Sequence, residues 1–185
     1  IPFAVGGGIT GVSDMSAVLL AGAEKVSVNT FAVEHPEIIA EGAREFGSQC
    51  IVLGMDAVRS NDSGKCPCGY EIAVRGFRRL TGLDALEWAR RAEDMGCGEI
   101  VVNSVDEDGA QGGYELRLTR MISDGVGIPV VASGGAGRPA DLVSVFRDAH
   151  ADAAIVAGIL HTGRYSIRDI KSALARSDIP VRLIW

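Results

Sequence analysis

Short apolar runs alternate along this chain with longer stretches of helical period, and that alternation limits its fold more than any other feature. The runs, residues 1–5, 25–28, 50–55, 99–102, 128–132 and 153–157, are apolar nearly throughout and rich in β-branched residues. Strands of that kind are buried on both faces, as in a parallel sheet covered by helices. The stretches between them carry helix stripes and helix ends. Met15, Val18 and Leu19 share a face that Gly22 terminates, while Pro36 suits a first helical turn and Gly47 a last one. Ala85, Trp88, Ala89 and Ala92 form a third stripe between Thr81 and Gly96. Pro139 opens a further helix, and Ser166 caps a last one whose face is Ile167, Ile170 and Leu174. The chain thus reads as six strand–helix units, with residues 58–80 inserted as a loop or hairpin over the strand ends. Strict βα repetition leaves two architectures, the open doubly wound sheet and the closed eight-unit barrel.

A long internal repeat decides between them. Ile1-Pro2-Phe3-Ala4-Val5-Gly6-Gly7-Gly8 returns as Ile128-Pro129-Val130-Val131-Ala132-Ser133-Gly134-Gly135, an offset of 127 (Ile128 against Ile1). The next strand and its end, residues 23–30, return as residues 151–158 with one residue inserted. A repeat of this length is half of a typical (βα)8 TIM barrel of about 250 residues. The expectation is a single α/β domain that is an incomplete barrel of about six βα units, strands 3 to 8 of eight. Residues 1–48 would be the remainder of a first half-barrel and residues 49–185 the second half, with the insertion.

The repeat also places glycines where chemistry can use them. Glycine is 24 of the 185 residues, against about 7% in average proteins. Pairs of them stand just beyond two strand ends, where a backbone without Cβ turns sharply and lets an oxyanion approach its amides. Gly134-Gly135 with Ala157-Gly158 fits the phosphate site that barrels commonly build after their last two strands. Gly7-Gly8 with Asn29-Thr30 is its counterpart in the other half. Two such cradles across one barrel mouth suggest a substrate with a phosphate at each end. The plainer alternative is that the glycines serve only tight strand-to-helix turns. A dinucleotide fingerprint is not formed, because Gly11 falls out of phase after Gly6-Gly7-Gly8.

Barrel enzymes carry their reacting groups at the carboxyl ends of strands. Asp56 ends the run Ile51-Val52-Leu53-Gly54-Met55 and is the candidate general acid or base. Asp106, Glu107 and Asp108 follow the 99–102 strand and precede Gly109, so substrate contact and a simple turn are both open for them. His35 before Pro36 reads as a helix cap, and His161 lies just after the last strand. Cys66-Pro67-Cys68 has no second pair to complete a zinc site, so neither metal nor cofactor is expected. The net charge of −6 without a basic cluster speaks against nucleic acid or an anionic membrane as partner. Four cysteines without framework spacing, no signal peptide and no apolar run of about 20 residues suit a cytoplasmic protein.

These motifs together resemble the cyclase subunit of imidazole glycerol phosphate synthase, the HisF family of histidine biosynthesis. The resemblance rests on residues 1–9, on Lys25-Val26-Ser27-Val28-Asn29-Thr30 and Thr81-Gly82-Leu83-Asp84, and on Asp106-Glu107-Asp108-Gly109. Gly112-Gly113-Tyr114 and Ala132-Ser133-Gly134-Gly135-Ala136-Gly137 complete it. It implies a barrel that takes ammonia from a glutaminase partner docked on its amino-terminal face. The ammonia reacts with an open-chain bisphosphate, giving imidazole glycerol phosphate and aminoimidazole carboxamide ribotide. On the same resemblance Asp56 matches the second of two catalytic aspartates. Gly8, Asn29 and Thr30 match one phosphate site, and Asp108, Gly109, Gly135, Ala157 and Gly158 the other. Asn103 and Ser133 match groups lining the cleft, and Lys25 and Glu99 match two of four charged residues that gate ammonia. Two units, roughly 70 residues on the typical barrel length, would then precede Ile1. The first strand with its aspartate would be among them, and the chain alone would be inactive. The alternatives are the sister isomerase of the same pathway, a cyclase-like subunit for amidating surface sugars, and a non-catalytic phosphate-binding fragment.

Overall fold

In the computed structural model, which describes residues 1–183, the apolar runs become strands and the striped stretches become helices. Ala4–Gly6 is β1 and Val12–Leu20 is α1; Lys25–Val28 is β2, followed by the short α2, Thr30–Glu34, and by α3, Glu37–Phe46. A 3₁₀ turn, Ser48–Cys50, leads into β3, Ile51–Arg59. Then come β4, Tyr70–Val74, β5, Arg79–Asp84, and α4, Ala85–Asp94. The rest is β6, Glu99–Ser104, α5, Leu116–Ser123, β7, Val130–Ser133, α6, Pro139–Asp148, β8, Ala153–Ala154, α7, Gly158–His161, and α8, Ile167–Arg176.

The strands form one sheet in the order β1-β2-β3-β6-β7-β8, every neighbouring pair parallel. β4 adds to β3 antiparallel and β5 to β4, so the segment after β3 is a hairpin belonging to the sheet. Among the described residues β1 and β8 do not pair with each other, and the parallel sheet is open between them.

Two expectations are corrected here. The six parallel strands are β1, β2, β3, β6, β7 and β8 of this chain, not strands 3 to 8 of a count begun elsewhere. Against the expectation of a lost first strand and an inactive chain stands an intact βα unit at the start of the sheet: β1 pairs with β2 over Ala4–Gly6 and is followed directly by α1.

The sequence pattern explains where the core lies. The stripe Ala85, Trp88, Ala89 and Ala92 is the buried face of α4, and Ile38 and Ile39 do the same for α3. They meet Val26, Ile51, Leu53, Ile100 and Val102 from the strands in one large apolar cluster. A second cluster lies under β7, built from Leu142 and Val145 of α6 with Ile170 and Leu174 of α8. Helix ends follow side-chain chemistry. Asp84, not Thr81, caps α4, accepting from the Leu86 and Glu87 amides at 3.0 and 3.1 Å. Thr81 lies in β5 and donates across the hairpin to the Ile72 carbonyl at 2.7 Å. Ser166 and Asp169 cap α8 reciprocally, at 3.1 and 2.8 Å.

Candidate active site

Register brings the polar candidates into one row. In a parallel sheet, residues paired across neighbouring strands point to the same face. Asp56 of β3 pairs with Asn103 of β6, which pairs with Ser133 of β7. Asn29, one residue past the end of β2, reaches the other side of Asp56. Its amide donates to Asp56 Oδ2 at 2.8 Å, and the Asn103 amide donates to Asp56 Oδ1 at 3.0 Å. One carboxylate is thus held through both oxygens by two side chains from flanking strands, at the carboxyl ends. Asn29 Oδ1 is buried with no partner among the described residues, an acceptor that a ligand's donor would satisfy.

The glycine pairs flank this row in two cavities. The first, about 540 Å³, is lined by Gly7, Gly8, Asn29, Thr30, Glu34 and Gly54, among others. Gly7 and Gly8 have φ of +96° and +72°, and a Cβ on either would meet nothing within 4 Å. Their left-handed backbone, rather than lack of room, is what calls for glycine. The second cavity, about 330 Å³, is lined by Asp108, Gly109, Ser133, Gly134, Gly135, Ala157, Gly158 and His161, among others. There space is decisive too: a Cβ on Gly135 would lie 2.0 Å from the Gly113 carbonyl oxygen.

Contacts that sequence spacing does not announce hold the second cradle. Arg59, at the end of β3, donates from its backbone to Asp106 at 2.8 Å and from its guanidinium to Glu107 at 2.7 Å and Glu115 at 3.3 Å. Asp106 and Glu107 therefore brace the loop, and Asp108 is the acid of that trio that lines the cavity. The Glu107 carboxylate beside Arg59 raises an already high pKa further. Glu115 also caps α5, accepting from the Leu118 amide at 2.7 Å. Tyr114 donates from its hydroxyl to the Ile155 carbonyl at 2.8 Å, and burial, then the charge of Asp141, pushes its pKa up. That tie fixes the same loop to the far edge of the sheet.

At the opposite end of the strands Lys25 opens β2 and Glu99 opens β6, and the two side chains form an ion pair. They are brought together although 74 positions separate them. His35 stacks on Phe31, ring centroids 4.6 Å apart, and closes α2 instead of capping α3. Cys68 donates from its thiol to the Tyr70 carbonyl at 3.3 Å and from its amide to Asp84 at 2.8 Å, so it serves the hairpin.

A family profile described as "Histidine biosynthesis protein" matches residues 1–166. Relatives named imidazole glycerol phosphate synthase subunit HisF align over the full chain. The one from Solidesulfovibrio magneticus is 56% identical over 185 residues, covering all of this chain and 71% of the relative. Those from Syntrophobacter fumaroxidans and Oleidesulfovibrio alaskensis are 58% and 55% identical with the same coverage. The chain belongs to the HisF family. The barrel-type βα architecture is thus that of a HisF-type histidine biosynthesis protein. No helix among the described residues is long and apolar enough to cross a membrane.

Proposed function

We propose that this chain is the cyclase subunit of an imidazole glycerol phosphate synthase, acting in the cytoplasm with a glutaminase partner. The observation that carries the proposal is the Asp56 carboxylate, gripped by Asn29 and Asn103 between two glycine cradles. A substrate with a phosphate at each end would span the row. Gly7, Gly8, Asn29 and Thr30 would take one phosphate, and Asp108, Gly109, Gly134, Gly135, Ala157 and Gly158 would surround the other. Amides, not side-chain cations, supply most of the donors, which suits a chain of net charge −6.

The middle of the substrate then lies over Asp56, Asn103 and Ser133. Addition of ammonia to the open-chain ketone and closure of the imidazole both require protons to move between nitrogen and oxygen. A fixed carboxylate accepts one of these protons and returns it, an effect of roughly 10²–10⁴-fold. The amides of Asn29 and Asn103 keep its two oxygens in place while it does so. The Lys25–Glu99 pair lies at the other end of the strands, on the face where a glutaminase would deliver ammonia.

The test is direct. The purified chain, given an ammonium salt and the bisphosphate, is expected to release imidazole glycerol phosphate and aminoimidazole carboxamide ribotide. Absence of both products at high ammonium overturns the proposal. Isomerisation of the pathway's preceding intermediate would select the sister isomerase instead.

A further inference from the structure

The hairpin formed by β4 and β5 contacts two residues that line the first cradle, Thr30 and Glu34, and brings charge to them. Glu34 at the end of α2 lines that cavity, and a bare carboxylate there would repel a phosphate. Two hairpin arginines meet it. Arg75 donates to Glu34 Oε1 at 3.0 Å and Arg79 donates to the same oxygen at 2.7 Å. The backbone N–H of Arg75 also donates to Thr30 Oγ1 at 3.0 Å. With that lone pair occupied, the Thr30 hydroxyl keeps its own proton to give to another acceptor. Arg75 makes this contact from a left-handed backbone, φ +57°, an uncommon state for a residue with a side chain. As stabilising ion pairs these exposed contacts contribute little. Their consequence is local field: a carboxylate that would oppose an anion is outweighed by two cations on the same oxygen.

We propose that the β4–β5 hairpin is part of the first anion site, with Arg75 and Arg79 as positioning residues that cancel Glu34 rather than touch the phosphate. This rests on reading Gly7, Gly8, Asn29 and Thr30 as a phosphate cradle.

The experiment titrates inorganic phosphate into the ¹⁵N-labelled chain at low ionic strength. It follows the amides of Gly8 and Thr30 for the first cradle and those of Gly135 and Gly158 for the second. The double variant Arg75→Ala/Arg79→Ala should weaken binding at the first cradle roughly five- to tenfold, as expected for one or two charges at a partly solvated site. The second cradle should be unmoved. Glu34→Gln alone should tighten the first cradle, and added to the double alanine variant it should restore affinity to about twofold of the parent. Arg75→Lys/Arg79→Lys should bind like the parent, since it keeps the charge. An alanine pair that binds as tightly as the parent overturns the inference. So does a triple variant as weak as the double, which would mean direct contact, and so does a lysine pair as weak as the alanine pair. If phosphate shifts neither Gly8 nor Thr30 in the parent chain, the cradle reading itself fails and this inference falls with it.

Discussion

Asp56 shows how much one position depends on its neighbours. Its two carboxylate oxygens are used by two amides, and its backbone pairs with Asn103 on one side and Ala73 on the other. Asp56→Asn replaces an acceptor-only group with one that cannot take a proton, and its new NH2 faces amide donors. The expected result is a loss of at least about 10²-fold in kcat, with a stability change near 1 kcal/mol from the disturbed hydrogen bonds. Steady-state turnover with ammonium and thermal denaturation check the two parts, and a variant retaining more than a tenth of parental kcat would remove Asp56 from the chemistry. Gly135→Ala tests the second cradle. With φ at +98° and a carbonyl oxygen 2.0 Å from the added Cβ, the loop must shift. KM for the bisphosphate should rise, and stability should fall by about 1–3 kcal/mol. Asp56 was legible because it ends an apolar run. Glu34 with Arg75 and Arg79 was not, because partners 41 and 45 positions apart leave no mark in local spacing.

Elements differ in the same way. β2 and β6 announce themselves as apolar runs, and α4 by its alanine and tryptophan stripe. The hairpin strands do not. β5 reads Arg79-Leu80-Thr81-Gly82-Leu83-Asp84, mixed polar and apolar, because it lies at the margin of the sheet and is buried unevenly. α2 and α7 are too short to establish a period, and α5 follows a long loop braced by Arg59. Asp84 ties the hairpin to α4, since it caps that helix and takes the Cys68 amide. Burial pushes its carboxyl up, but the Cys68 thiol and amide and the Glu87 and Leu86 amides outweigh this. The result lies below the ordinary 3.8. A depressed carboxylate stabilises the fold fully above its unfolded value and loses that contribution as pH falls through the folded one. Asp84→Ala should therefore cost about 1 kcal/mol at neutral pH, and the difference from the parent should shrink below about pH 4. Urea midpoints measured from pH 3 to 7 test this. A difference that grows towards acid would contradict it.

At the scale of the molecule the parallel sheet is open, with β1 and β8 as its edges among the described residues. Beside β1 stands Phe3, about half exposed, and just beyond β8 stands Ile155, 44% exposed. Unpaired strand edges flanked by apolar side chains invite pairing with other chains. Sedimentation across the micromolar to millimolar range should show concentration-dependent association, weakened by Phe3→Lys. A parent chain that stays monomeric over that range would show the edges to be protected. Sequence periodicity predicts six units but carries no information on closure, because closure depends on which edges meet in space.

β3 has one further consequence. It pairs with β2 only as far as Leu53, and from Asp56 onward its edge on that side belongs to β4. The first cavity opens in the fork between them, at Gly54. The acid and the hairpin are thus inherited on one continuous segment, yet they would bear on the substrate differently, Asp56 through its own carboxylate and the hairpin only through Glu34. A lineage could exchange the tip of the hairpin, altering which phosphate esters are retained, while leaving the proton chemistry of Asp56 as it was. Grafting tips from other family members onto this strand would turn that division of labour into a means of redirecting specificity.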